Sequence, residues 1–147
     1  MTSAIALIKR FEGLRLEAYQ DIGKIWTVGY GATGEGIHSG TVWTEAQAEA
    51  DLEQRLDTLG AELAELLTVS AEPHQLAALL SFAYNVGIHA LAGSTLLRRF
   101  NAGDVVGASD EFLRWNHVDG QVYPVLSLRR MTERRIFLDV TEPGGPT

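Results

Sequence analysis

Three polar residues near the start of the chain have the types and the spacing that chemistry requires. Glu12 closes an apolar segment, Asp21 follows nine residues later at the start of a glycine-containing turn, and Thr27 lies six residues further on in a β-branched run. Two carboxyl groups held on different elements, facing one gap, supply the acid and the base that cleave a glycosidic bond. This stretch is therefore the first candidate for a catalytic site.

Each of the three residues also has an ordinary structural explanation. Glu12 could pair with one of the arginines between positions 129 and 135, and Asp21 could accept a hydrogen bond from its own backbone in a turn. Thr27 could be a strand residue with no further role. Their joint arrangement, with glycines around them, favours the catalytic interpretation.

A short helix is predicted to hold the first of these residues. Apolar positions at helical spacing indicate a helix that starts after a Ser3 cap, runs through Phe11 and ends at Gly13. Glu12 then lies in the last turn, where the negative end of the helix dipole favours the protonated acid.

A hairpin is predicted to hold the other two. The stretch 14–30 is rich in β-forming residues on both sides of a turn at 21–24, so we expect Asp21 and Thr27 on one antiparallel hairpin. A third short strand is expected near Ile37, in the glycine-rich segment that follows.

The remainder of the chain is predicted to be helical. A capping box at 44–47 opens a long helix to about Leu67, with leucines on one stripe and acids on a face that we interpret as solvated. A helix capped by Ser70 and ended by Gly87 is apolar almost all round, which is typical of a central core helix. Further elements are expected as a helix at 91–100, a helix from an Asp104 cap to about Trp115, a loop at 116–124 and a last helix at 125–139.

One helix, a small antiparallel sheet and then helices to the end are typical of an α+β fold. We expect one catalytic domain over residues 1–140 and a flexible tail at 141–147. Within the domain, a β-rich lobe at about 13–43 is expected to be joined by the long helix to a mostly helical lobe. A cleft between two lobes is a usual substrate site.

The composition narrows the function classes. The chain has 147 residues, no cysteine and a formal net charge of −7. A globular domain without disulfides is expected, and nucleic-acid binding is disfavoured because such proteins are normally basic. The apolar run 4–8 is too short for a signal-peptide core or a membrane span, so we predict no signal peptide, no membrane anchor and no stable membrane insertion.

No cofactor and no metal are predicted. The pattern at 29–34 satisfies G-x-G-x-x-G, but no helix begins at its glycines to hold a pyrophosphate. We interpret these glycines as backbone that approaches another element closely. The four histidines have no metal-ligand spacing, and Ser94 is interpreted as a helix cap rather than as a nucleophile.

The candidate residues lie in a pattern that resembles the phage-type lysozymes (endolysins) related to the lysozyme of T-even phages. That family has Glu in Phe-Glu-Gly, Asp nine residues on after Ala-Tyr-x, and Thr six beyond it before Gly-Tyr-Gly. Glu12, Asp21 and Thr27 match this pattern in identity and spacing. The resemblance covers about residues 3–139 and continues, in order, through the segments 44–48, 81–87, 94–97, 100–104, 111–115 and 129–134.

The resemblance implies a lysozyme-like fold and hydrolysis of the β-1,4 bond between N-acetylmuramic acid and N-acetylglucosamine in peptidoglycan. Glu12 would be the general acid, and Asp21 and Thr27 would hold and activate the attacking water, which makes the reaction inverting. The family's cleft would also place five further residues near the sugar rings, namely Thr33, Tyr84, Asn85, Thr95 and Ser109.

The resemblance also implies where the protein works. We expect a monomer that is made in the cytoplasm of the host and acts on the bacterial cell wall after release. A separate membrane-permeabilising, holin-like protein is expected to provide that release.

Three positions depart from the family pattern, and two other functions stay open. Ala32 stands where the family usually has a His that pairs with an acid, and Val125 stands where a Gly usually follows the Pro of the last helix. Leu128 removes one basic residue from the start of that helix. The alternatives are a catalytically weak glycan-binding relative, and a lytic transglycosylase or other glycosidase acting on an aminosugar polymer. The water-holding pair favours hydrolysis.

Overall fold

The computed structural model describes residues 3–140 and confirms an α+β fold. The helices are α1 (Ala4–Glu12), α2 (Glu45–Leu66), α3 (Pro73–Val86), α4 (Ile88–Ala92), α5 (Thr95–Asn101), α6 (Val105–Glu111) and α7 (Pro124–Leu138), with a 3₁₀ turn at Phe112–Arg114. The strands are β1 (Arg15–Gln20), β2 (Trp26–Gly29), β3 (His117–Val118) and β4 (Gln121–Val122). The strands form two separate antiparallel pairs, β1 with β2 and β3 with β4.

The chain divides into two compact units. We call Ile5–Thr58 the N-terminal unit and the part from Leu59 onward, described to position 140, the C-terminal unit. The expectation of one catalytic domain over 1–140 stays a prediction, and the tail predicted at 141–147 lies outside the described residues. None of the helices in the described part is long and apolar enough to cross a membrane.

The third strand of the N-terminal unit is not where the sequence predicted it. Val42 makes an antiparallel bridge to Glu17, and Ile37 is in no strand. Gly36 and Gly40, both at positive φ, turn the chain on either side of Ile37, so pairing with β1 starts only after the second turn. Ile37 instead joins the partly buried side chains that pack on the small core of this unit, formed by Ala18, Val28 and Ala32.

The long helix α2 begins at the predicted capping box. The Thr44 N–H donates to Gln47 Oε1 at 2.8 Å, and the Gln47 N–H donates to Thr44 Oγ1 at 3.1 Å. The leucine stripe faces inward, since Leu52, Leu56 and Leu63 are all buried. The helix is therefore fixed at its start and along one face.

The C-terminal unit is built around α3, as predicted for the central core helix. Ala78, Leu79 and Phe82 are fully buried, and the Phe82 ring meets Phe112 and Trp115 edge-on, with centroids 5.4 and 5.3 Å apart. The start of α3 corrects the prediction of a Ser70 cap.

Glu72 is the N-cap of α3, and its N–H donates to the Gln75 side chain at 2.8 Å. Pro73 occupies the first turn, where the missing N–H has no helical partner to lose. A Pro at that position fixes the helix start two residues beyond the predicted Ser70 cap.

Two further predictions in this unit need correction. The helix predicted at 91–100 is interrupted at Ser94, whose hydroxyl donates to the Leu91 carbonyl at 2.7 Å and accepts from the Leu97 N–H at 3.1 Å. Ser94 is thus the predicted cap, but of a second helix. The loop predicted at 116–124 contains the β3–β4 hairpin, because Asp119 and Gly120 both adopt the positive φ that a two-residue hairpin turn requires.

A buried charged cluster joins α3 to α7. Glu133 accepts from the Ser81 hydroxyl at 2.6 Å and lies 3.2 Å from Arg129 Nε and 2.8 Å from Arg130 Nε. The side chains of this glutamate and both arginines are at most 4% exposed. Burial raises the pKa of Glu133, and the two guanidinium groups and the Ser81 hydroxyl act in the opposite direction.

Replacing Glu133 with Gln should destabilise the fold strongly. The substitution keeps the shape of the side chain but removes the negative charge that two buried guanidinium groups contact, and breaking a buried ion pair costs about 3–5 kcal/mol. Urea unfolding followed by circular dichroism measures the change. The matched control is Asp110→Ala, which breaks the exposed pair between Asp110 and Arg134 and should cost at most about 1 kcal/mol. Equal losses from the two substitutions would contradict the prediction.

Candidate active site

Glu12 occupies the position predicted for it, as the last residue of α1. Gly13 ends the helix at φ 69°, and its N–H donates to the Lys9 carbonyl at 3.0 Å. Leu7 and Ile8 of the same helix are buried. The Glu12 side chain is only half-buried, so the end of a well-anchored helix presents it near the surface.

Asp21 and Thr27 are held by the two peptide groups on either side of Ile25 in the hairpin. Asp21 Oδ1 accepts from the Ile25 N–H at 2.9 Å, and Thr27 Oγ1 donates to the Ile25 carbonyl at 2.9 Å. The turn closes through the Asp21 N–H, which donates to the same Ile25 carbonyl at 3.0 Å. Both side chains are therefore positioned by one residue of the backbone.

This arrangement leaves one oxygen of Asp21 and one of Thr27 able to accept a hydrogen bond from a ligand. Within the described residues 3–140, the structure gives Asp21 Oδ2 no hydrogen-bond partner. The proton of the Thr27 hydroxyl goes to the Ile25 carbonyl, so its oxygen can still accept. Thr27 is 4% exposed and lies opposite Tyr19 in the hairpin, so their side chains share one face of the sheet. The structural explanation of Asp21 as a turn residue is correct for one carboxylate oxygen and leaves the other available.

Gly29, the last residue of β2, serves close packing as predicted, whereas a Cβ added at Gly34 would meet nothing within 4 Å, so the prediction is wrong for that glycine. Gly29 has φ 67°, and a Cβ added there would come within 3.0 Å of the Trp43 ring. Gly31 also has positive φ, at 90°. The Trp43 ring can therefore pack directly against the backbone of Gly29, because glycine has no side chain.

A hydrogen-bonded trio connects α1, α2 and the end of β2. The Lys9 ammonium donates to Glu49 Oε1 at 2.6 Å, and the Tyr30 hydroxyl donates to the same oxygen at 3.2 Å. The hydrogen bond from Lys9 lowers the pKa of the Glu49 carboxyl, and the bond to Glu49 raises the pKa of Lys9. Burial raises the pKa of Tyr30, so its hydroxyl stays a donor. The pattern of α2 predicts Glu49 on a solvated face, and these contacts correct that prediction.

Asp51, a second acid of α2, also forms an ion pair. Its partner, Arg55, contacts the segment in which Ala32 replaces the His of the family pattern. Asp51 holds Arg55 Nε at 2.9 Å, and the Arg55 guanidinium donates to the carbonyls of Tyr30 and Gly31 at 3.2 and 3.5 Å. Ala32 is 3% exposed and belongs to the small apolar core. The segment where the family usually has a His is thus tied to α2 by Arg55 through the backbone.

The five predicted sugar-contacting residues fall in both units. Thr33 is exposed in the glycine-rich segment of the N-terminal unit. Tyr84 and Asn85 lie in the last turn of α3, and Thr95, the first residue of α5, accepts from Arg98 at 2.8 Å.

Ser109 is fully buried, and its hydroxyl donates to the Val106 carbonyl at 2.6 Å within α6. All five residues stay predictions.

The fold is that of a lysozyme-like protein. The endolysin from Escherichia coli O157:H7 phage FAHEc1 is similar in structure, with a TM-score of 0.85, 36% identity and coverage of 95% of this chain and 93% of that one. The family model described as phage lysozyme matches residues 9–133. The chain belongs to the phage lysozyme family.

Curated relatives agree with this assignment. An endolysin of Acyrthosiphon pisum secondary endosymbiont phage 1 is 41% identical, over 90% of this chain and 93% of its own length. An endolysin of Bacillus phage B103 is 44% identical over 92% of this chain, which spans 52% of that relative. The chain is thus about half as long as that relative. The family and the endolysin relatives support a peptidoglycan hydrolase (muramidase) function, and the enzyme class is glycoside hydrolase.

Replacing Glu49 with Gln should lower stability in a pH-dependent way. Because Lys9 lowers the pKa of Glu49 below 4.5, the stabilisation by the ionised carboxylate is complete above pH 4.5 and is lost as the pH falls through the folded-state value. Melting temperatures of wild type and Glu49→Gln should therefore differ near neutral pH and converge as the pH falls below the lowered pKa of Glu49. Thermal unfolding across that range measures the difference. Glu53→Gln, an exposed acid of the same helix, is the control, and a Glu49 effect that is constant with pH would contradict the prediction.

Proposed function

We propose that this chain hydrolyses the β-1,4 bond between N-acetylmuramic acid and N-acetylglucosamine in peptidoglycan, with inversion at the anomeric carbon. Glu12 acts as the general acid, and Asp21 and Thr27 bind and activate the attacking water. The observation that carries this proposal is the shared anchoring of Asp21 and Thr27 on the peptide groups of Ile25. It leaves two acceptor oxygens in fixed positions on one hairpin.

Two acceptors are what a nucleophilic water needs. A water that donates one proton to Asp21 Oδ2 and the other to Thr27 Oγ1 keeps its lone pair for the anomeric carbon. As the C–O bond to the leaving sugar breaks, Glu12 transfers its proton to the glycosidic oxygen. Asp21 takes a proton from the water as the new C–O bond forms, so the protons balance across the step. The water reaches the sugar face opposite the leaving group, which inverts the configuration.

The hydrogen bond that Thr27 donates supports its proposed role in binding the attacking water. Its hydroxyl proton is engaged by the Ile25 carbonyl, so the oxygen faces a ligand as an acceptor only. A hydroxyl free to rotate could donate to the water and turn its lone pair away from the sugar. Burial of Thr27 to 4% exposure keeps the hydroxyl in this orientation.

The five predicted sugar contacts remain part of the proposal: Thr33, Tyr84, Asn85, Thr95 and Ser109. The expectations on delivery also stay predictions: synthesis in the cytoplasm of the host, release with the help of a holin-like protein, and action on the wall as a monomer. The endolysin relatives support the cell wall as the place of action.

Glu12→Gln should abolish most of the clearing of a peptidoglycan suspension. The substitution removes the proton that the leaving oxygen needs while keeping the shape of the side chain, and loss of a general acid costs about 10²–10⁴-fold in rate. The fall in turbidity with time measures the rate. Glu17→Gln, an exposed acid of β1, is the matched control and should clear the suspension like wild type. Equal clearing by Glu12→Gln and wild type would rule out the assignment of Glu12.

The first product formed should be a reducing end in the α-configuration. Attack by water on a β-linked sugar from the face opposite the leaving group gives the α-anomer, which then equilibrates in solution. Proton NMR of a chitooligosaccharide or glycan digest, recorded during turnover, measures the anomer ratio. A β-anomer appearing first would indicate a retaining reaction, and a 1,6-anhydro end would indicate a transglycosylase.

A further inference from the structure

One carboxylate oxygen joins the two elements that carry the proposed catalytic residues. Glu49 Oε1 accepts from Lys9 Nζ at 2.6 Å and from the Tyr30 hydroxyl at 3.2 Å. Lys9 belongs to α1, which carries the general acid at its end, and Tyr30 directly follows β2, which carries Thr27. The Lys9 ammonium also lies 5.4 Å from the centre of the Tyr30 ring, so the three groups contact one another.

Each donor of this trio is close along the chain to a proposed catalytic residue. Lys9 lies one helical turn before Glu12, and its carbonyl accepts the Gly13 N–H that ends the helix. Tyr30 lies three residues after Thr27, beyond Gly29, which is packed against the Trp43 ring. A shift of Glu49 relative to either donor is therefore transmitted to the end of α1 or to the end of β2.

The acceptor itself is on a rigid support. Ala48 and Leu52, on either side of Glu49, are fully buried, and the capping box fixes the start of α2 four residues earlier. Glu49 thus has a fixed backbone from which to hold two neighbouring elements.

Exposure argues for positioning rather than for stability as the role of this contact. The Lys9 and Glu49 side chains are each 34% exposed, and ion pairs at that exposure contribute little to the free energy of unfolding. Catalysis is far more sensitive to geometry, because a displacement of about 1 Å in a reacting group can cost roughly 10²-fold in rate. The contact therefore affects the rate more than the stability.

We propose that Glu49 is a positioning residue that sets the distance between Glu12 and the water-binding pair of Asp21 and Thr27. It does so by accepting from Lys9 and Tyr30 at one oxygen. The inference rests on the roles proposed above for those three catalytic residues. Glu49 itself need not touch the substrate.

Glu49→Ala tests the proposal through kcat and KM on a soluble peptidoglycan fragment. Losing the shared acceptor should lower kcat by about 10- to 100-fold, while KM stays within about 2-fold, because the substrate-contacting groups are intact. Glu49→Gln should recover most of the rate, since its amide oxygen can still accept from both donors. Lys9→Met is an independent variant, and adding it to Glu49→Ala should cause no further loss.

Asp104→Ala is the stability-matched control. It removes the N-cap hydrogen bond of α6, which Asp104 makes with the Gly107 N–H at 2.9 Å in the C-terminal unit. It should lower the melting temperature at least as much as Glu49→Ala does and leave kcat unchanged. A purely structural role for Glu49 would predict equal effects of the two variants on kcat.

Three results would overturn the proposal. They are a Glu49→Ala kcat equal to that of Asp104→Ala, a rise in KM with unchanged kcat, and a Glu49→Gln rate as low as that of Glu49→Ala. Glu12→Gln, measured in the same assay, separates this inference from the proposed function. If Glu12→Gln is inactive while Glu49→Ala has full activity, only the positioning role is wrong; if Glu12→Gln is fully active, the proposed function is wrong as well.

Discussion

The peptide groups of Ile25 impose the constraint on which the candidate site depends. Its N–H fixes one oxygen of Asp21, and its carbonyl takes the proton of Thr27. A side chain held by one backbone bond can still rotate, but two side chains held by adjacent peptide groups keep a constant separation. Backbone amides do not titrate or change rotamer, so this pre-organisation needs no reorganisation when substrate binds. The side chain of Ile25 is itself 54% exposed, and its contribution lies in the backbone.

The turn after β2 shows how a family pattern can be kept with different side chains. The sequence has Ala32 where the family usually has a His that pairs with an acid. The structure buries this alanine in a small apolar core and leaves the polar contact to Arg55, which reaches the carbonyls of Tyr30 and Gly31. A guanidinium with several donors in one plane suits two neighbouring carbonyls. The connection to α2 is made through main-chain atoms, so no particular side chain at position 32 is needed for it.

Local interactions made much of the fold predictable, and non-local ones account for the misses. The Thr44 capping box, the Asp104 cap and the Ser94 cap depend on groups within three residues of each other, and all three are present. The pairing of Val42 with β1 depends on the direction in which the glycine turns lead the chain, and hydrophobic periodicity carries no information about that direction. The β3–β4 hairpin had a turn signal at 119–120, but its strands are two residues long and give no alternation to detect. For the site, the sequence supplied the identities of the candidate residues and their elements, and the structure added the Ile25 contacts.

Glu49 illustrates why a positioning group escapes detection in a sequence. On a helix with many acids, the periodicity that identifies the buried leucines places Glu49 among the solvated positions, beside Glu45 and Glu53. Its side chain is still 34% exposed, so its ion pair contributes little to stability. Its difference from Glu53 lies in what reaches it, an ammonium from α1 and a phenol from the end of β2. Only the three-dimensional structure shows that α1 and the end of β2 donate hydrogen bonds to the same oxygen of Glu49.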